Sequence, residues 1–147
     1  MTLEDLANIG EFIAAIGVVA SLVYLSIQIK RNESTTRAAT TQELLSKSID
    51  MLLWHDDKSP MLKANAGEPL SEKEANRLDL MTLALFSHFN NAHHQYLAGK
   101  LDAEIWTMYE ARTLRNVNQM TDFNEWWNQY KNNFTQSFRD YIEKIKP

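Results

Sequence analysis

One stretch limits this chain more than any other. From Ile9 to Ile29 the sequence reads I-G-E-F-I-A-A-I-G-V-V-A-S-L-V-Y-L-S-I-Q-I, 21 residues with no charged side chain between Phe12 and Ile27. As a helix it is about 30 Å long, the thickness of the hydrocarbon layer of a membrane. Glu11 and Gln28 stand near its two ends, and Lys30, Arg31 and Arg37 follow. The acids Glu4, Asp5 and Glu11 precede every lysine and arginine of the chain. Basic residues stay on the cytoplasmic side of a span, so this asymmetry predicts a single transmembrane helix with its N-terminus outside and its C-terminal domain in the cytoplasm. The organisation that follows is an external tail (1–8), a transmembrane helix (9–29), a neck (30–41) and a helical domain (42–147).

Three other readings of the stretch compete with this one. A cleaved signal peptide has a basic start and a small-residue cleavage site, whereas this start is acidic and the run closes on S-I-Q-I-K. A helix lying flat on a membrane needs a polar face, which residues 12–27 lack. The buried central helix of a soluble protein is the serious rival, because Ser21, Ser26 and two glycines moderate the hydrophobicity.

Within the span, Gly10, Ala14, Gly17, Ser21, Tyr24 and Gln28 follow one another at intervals of 4, 3, 4, 3 and 4. That heptad seam gathers most of the small and polar residues, and the other faces carry Phe12, Ile13, Ile16, Val19, Leu22, Val23, Leu25 and Ile27. In lipid, small residues let helix backbones approach, and polar side chains bond across the contact for about 0.6 kcal/mol each. A period of 3.5 residues favours left-handed crossing. The seam therefore predicts packing against another helix, a second copy or a partner. Glu11 lies one position from the seam and is read as solvated at headgroup depth.

Beyond the span the chain reads as all-α. Only four glycines and three prolines interrupt it, and helix-forming residues dominate. The Ser/Thr/Asn-rich neck, 32–41, has weak helicity and fits either a flexible link or a stalk. An amphipathic helix is expected from Ala38 to about Trp54, ending at His55-Asp56-Asp57, with a short turn at Met61–Ala66 stopped by Gly67. Ser71 and Glu74 form a capping box for a long helix, 72–98, closed by Gly99. Asp102 is expected to cap a helix to about Gln119, and Thr121 a further one carrying Phe123, Trp126, Trp127 and Tyr130. A last helix holds Phe134, Phe138, Tyr141, Ile142 and Ile145. The expected architecture is a transmembrane helix leading into a bundle of four to five helices.

The composition closes several chemical routes. There is no cysteine, so disulfides, thiolate chemistry and thiolate zinc sites are excluded. From residue 30 onward 15 basic residues face 16 acidic ones, and a near-neutral domain gives phosphate backbones nothing to neutralise, so nucleic acid is not an expected partner. None of His55, His88, His93 and His94 has a glutamate three positions earlier, and there is no His-Glu-x-x-His, nucleophile elbow or glycine-rich phosphate loop. The paired acids Asp56-Asp57 and Glu72/Glu74 fall in an expected loop and a first helical turn, where the helix dipole favours them. No catalytic residue, metal or cofactor is expected. His93 and His94 point about 100° apart on a helix, so one is expected buried and the other exposed.

The aromatics Trp106, Tyr109, Trp126, Trp127 and Tyr130 are dense enough to suggest a ligand or partner surface, although aromatics at helical spacing more often form core. Trp126 and Trp127 are adjacent, which suggests that one of them is exposed or meets another subunit. Three functions follow as expectations: a non-enzymatic membrane-anchored protein that self-assembles or scaffolds through the seam and the helical domain, a membrane-bound regulator binding a small apolar ligand or a protein in the bundle, and a small oligomeric pore. Membrane lipid and a second copy of the chain are the expected partners.

The segment G-E-F-I-A-A-I-G-V-V-A-S-L-V-Y-L-S-I-Q-I-K-R-N, the neck, L-S-E-K-E-A-N-R, the Tyr96-Leu97-Ala98-Gly99 helix end and Glu125-Trp126-Trp127 with Phe134 and Phe138 together resemble a set of small bacterial membrane-anchored helical proteins. The resemblance covers most of the chain and is strongest from the span through Gln28-x-x-x-Asn32. It implies the architecture and a bacterial source. The set has no agreed activity, so the resemblance implies no catalytic residue.

Overall fold

With no proline before Pro60, nothing obliges the first helix to stop at the end of the apolar run. In the computed structural model, which describes residues 2–52 and 59–146, α1 extends over Leu3–Leu52. The expected tail is thus helical from Leu3, and the neck is helical throughout. Hydroxyl groups that would compete with the helix instead bond back to it, as Thr35 Oγ1 donates to the Arg31 carbonyl at 3.0 Å. The end expected near Trp54, together with His55 and Asp56-Asp57, lies outside the described residues.

The chain divides into two units, Met1–Ala38 and Ala39–Pro147, a boundary inside the expected neck. The first unit is the apolar part of α1. An 18-residue window of this helix has a mean hydropathy of 2.2, and none of it is buried. From Ile9 to Ile29 its large apolar side chains remain 47–68 % exposed. Among the described residues it is the one helix long and apolar enough to cross a membrane.

The second unit is all-α, with no strand among the described residues. After the end of α1 come α2 (Pro60–Asn65), α3 (Glu72–Leu97), α4 (Ala103–Gln119), α5 (Phe123–Tyr130), a 3-10 turn (Lys131–Asn133) and α6 (Gln136–Ile145). The core is built from apolar residues at helical spacing. From α3 these are Phe86, Phe89 and Ala92, from α4 Trp106, Tyr109 and Val117, and from α6 Phe138 and Ile142. Leu44 brings the last turns of α1 into the same core at 2 % exposure. Burial of one such side chain contributes about 1.5–3 kcal/mol.

The helix ends are fixed by local chemistry. Ser71 and Glu74 form the expected capping box, with the Glu74 carboxylate accepting from the Ser71 backbone N–H at 2.9 Å. Two helices close with the paired bonds of a Schellman motif. In α2, Gly67 donates to the Ala64 carbonyl and Glu68 to that of Lys63; in α3, Gly99 donates to Tyr96 and Lys100 to Gln95. Gly67 (φ 71°) and Gly99 (φ 68°) take the left-handed conformation this requires.

Two caps differ from expectation. Thr121 lies in a turn, and Asp122 occupies the N-cap of α5 without a side-chain capping bond. The reason is that Met120 turns the chain extended at the end of α4, and its carbonyl accepts from Phe123. The last helix begins after Phe134, because Thr135 caps it by accepting from Phe138 N–H.

Gly99→Ala should lower the unfolding free energy by about 1–2 kcal/mol, the cost of placing a Cβ in the left-handed region. Urea unfolding followed by far-UV circular dichroism checks this, and an unchanged midpoint would contradict it.

Candidate functional site

The seam residues Gly10, Ala14, Gly17, Ser21, Tyr24 and Gln28 all fall on α1, and their spacing brings them onto one face of it. All are exposed except Gln28, which is half-buried. A Cβ added at Gly10 or Gly17 would meet no atom within 4 Å, so both positions leave a shallow groove for another surface. The polar seam side chains bond along the helix. Ser21 Oγ donates to the Gly17 carbonyl at 2.8 Å, and Gln28 Nε2 donates to the Tyr24 hydroxyl at 3.0 Å. The second bond ties together two long side chains that would otherwise lose rotamer freedom at a contact. Glu11 is exposed beside the seam.

The aromatic residues fill the core of the second unit. Trp106 (7 % exposed), Tyr109 (1 %), Trp126 (5 %) and Trp127 (0 %) are buried, so they do not form the surface their density suggested. The inference that adjacent tryptophans cannot share a core is corrected here. Relative to Phe123 they stand at i+3 and i+4, which flank one broad apolar stripe. Trp126 packs on Phe86 (ring centroids 5.0 Å) and Tyr130 (5.3 Å). Trp127 stacks on Phe134 (5.3 Å, 13° between planes) and on Phe123 (5.9 Å, 16°), and its indole N–H donates to Glu143 at 2.7 Å. Tyr130, half-buried, turns its hydroxyl toward Asp79 at 3.5 Å.

Sequence reasoning missed a buried polar cluster. Ser48 on α1, His88 on α3 and Tyr109 on α4 meet with Ser48 Oγ 2.9 Å from His88 Nε2, Ser48 Oγ 3.0 Å from the Tyr109 hydroxyl, and that hydroxyl 3.2 Å from His88 Nε2. The pieces are 21 to 61 residues apart in sequence, so no local motif announces them. With His88 neutral and Nε2 unprotonated, Ser48 donates to the imidazole and Tyr109 to Ser48, which gives both hydroxyl protons an acceptor. Burial lowers the His88 pKa below its ordinary 6.5, helped by the positive charges of Lys47 and Arg112. Burial raises that of Tyr109, which keeps the phenol protonated as a donor. A serine hydroxyl beside an imidazole is the beginning of a nucleophile–base pair. Here the pair is closed off under three helices, and the arrangement fixes the register of α1 against α3 and α4.

The remaining histidines divide as expected. His93 is 6 % exposed, enclosed by Trp106, Phe138 and Tyr141 at 5.2–5.7 Å between ring centroids, and His94 is exposed. His55 lies outside the described residues. Among the described residues no group of three or more His, Asp and Glu side chains could hold a metal ion. No protein-family model, curated protein or solved structure matches this sequence.

Two measurements check the cluster. Ser48→Ala should cost about 1 kcal/mol, since His88 and Tyr109 can still bond each other; a cost near zero would contradict the bonded geometry. The folded His88 pKa lies below the unfolded one, so unfolded chains take up the proton first as pH falls. Stability is therefore complete above pH 6.5 and declines progressively below it. Glu74 adds a separate loss at lower pH: bonds from Lys63 and Ser71 hold its carboxyl at about 2 against an ordinary 4.5, so its contribution disappears between those values. Urea titrations at pH 7.5, 6.5 and 5.5 should show the His88 slope, reduced in His88→Gln; stability rising toward pH 5.5 would contradict it.

Proposed function

We propose that this chain is a non-enzymatic, membrane-anchored protein of a bacterial inner membrane that self-assembles through the Gly10–Gln28 seam. Residues 9–29 cross the bilayer, the N-terminus lies outside, and the helical domain works in the cytoplasm. The observation that carries the proposal is a helix window of mean hydropathy 2.2 in which no residue is buried. Lipid or a second helix is the natural cover for such a surface. The orientation rests on Lys30, Arg31 and Arg37 at one end against Glu4, Asp5 and Glu11 at the other. Assembly rests on the open surface at Gly10 and Gly17, where small residues permit close backbone approach.

The natural absence of cysteine makes the test clean. Gly17→Cys and Ser21→Cys, each introduced singly and oxidised in native membranes, should give disulfide-linked dimers. Val19→Cys, on another face, should not. Equal cross-linking at all three positions would indicate random collision, and none at Gly17 or Ser21 would remove the seam as an interface.

A further inference from the structure

The second unit contains a cleft of about 400 Å³ between α2, α3 and the junction of α4 with α5, within the range of small-molecule sites, about 300–1,000 Å³. Its apolar side includes Leu78, Leu85 and Phe86. Phe86, 1 % exposed, packs on Trp126 and Phe123 at 5.0 and 5.5 Å between ring centroids and leaves Leu78 and Leu85 as the open apolar surface.

Glu68, Asp79 and Asp122 come from three separate places in the chain, and among the described residues no lysine, arginine or histidine lines the cleft. The local bonds of Asp79 and Asp122 are few. Asp122 makes no capping bond at the start of α5, and Asp79 is met by the Tyr130 hydroxyl only at 3.5 Å. Asn116 and Gln119 of the last turn of α4 also line the cleft, and the C-terminal end of a helix carries partial negative charge. Carboxylates and a helix C-terminus beside an apolar wall favour a positive guest with an apolar body. A divalent metal does not fit, because no three acidic or histidine side chains among the described residues converge on one point.

We propose that this cleft binds a small organic cation, a protonated amine whose aromatic or alkyl body rests against Leu78 and Leu85 while its ammonium group faces Asp79 and Asp122. The site is independent of the proposed assembly through α1, and failure of either leaves the other standing.

Met61 and Met120 line the cleft, whereas Met108 does not. The full chain, labelled with ¹³C-methyl methionine in a neutral detergent, therefore reports where a ligand binds. Phenethylammonium should shift the Met61 and Met120 signals saturably and leave Met108 in place. Phenethyl alcohol and phenylacetate, the neutral and anionic analogues, should bind at least about tenfold more weakly, a difference of about 1.4 kcal/mol. Asp79→Asn with Asp122→Asn should weaken the amine by a similar factor. Equal binding of amine and alcohol, no saturable shift up to the solubility limit, or equal shifts at Met108 would each overturn the proposal. The analogue comparison uses the unaltered chain, so it decides the matter even if the double variant folds poorly.

Discussion

From Ile9 to Ile29 the first helix presents apolar side chains in nearly every direction, each 47–68 % exposed. Leaving a Val, Leu, Ile or Phe side chain in water forgoes about 1.5–3 kcal/mol. Eleven such residues, each about half exposed, represent a cost comparable to the ~5–15 kcal/mol by which a whole domain is stable. Such a surface favours an apolar cover. The helix suits a lipid cover, since its backbone groups are bonded within it, as hydrocarbon demands. The seam modifies this picture on one face only. There Gly10 and Gly17 remove side-chain bulk, and the hydroxyl of Ser21 and the amide of Gln28 are held along the helix.

The second unit solves the burial problem internally. Its core is a run of aromatic contacts from Phe86 through Trp126 and Phe123 to Trp127, Phe134 and Phe138. Aromatic packing alone leaves helix register loosely fixed, and the Ser48–His88–Tyr109 cluster supplies polar positions that match in one register only. The cluster joins the end of α1 to the bundle through groups that bond best when His88 is neutral. The same packing that buries Trp126 steadies Phe86, next to Leu85 in the lining of the acidic cleft.

What could be read beforehand was what local chemistry determines. The apolar helix, the Ser71–Glu74 box and the stop at Gly99 each depend on residues a few positions apart, and each is legible in the sequence. The neck is not, because side-chain hydroxyls can bond either to water or back to the helix, and Thr35 does the latter. Features set by tertiary contact were not legible. Ser48 reads as an ordinary polar position until His88 and Tyr109 arrive from other helices. The joint burial of Trp126 and Trp127 is not legible from their adjacency, because it depends on the breadth of the stripe that α3, α5 and α6 bury together. The cleft combines residues from 61 to 122 with no shared motif.

We propose that lipid covers the 9–29 helix. Single spin labels placed in turn along these positions, in protein reconstituted into lipid nanodiscs, measure exposure to oxygen, which enters hydrocarbon, and to a water-soluble nickel chelate, which does not. A lipid-covered span predicts oxygen exposure highest near Val18 and Val19, falling toward both ends, with the nickel chelate excluded between Phe12 and Ile27. Nickel exposure at Val18, Val19 and Leu22 equal to that of the exposed residue His94 would contradict the account.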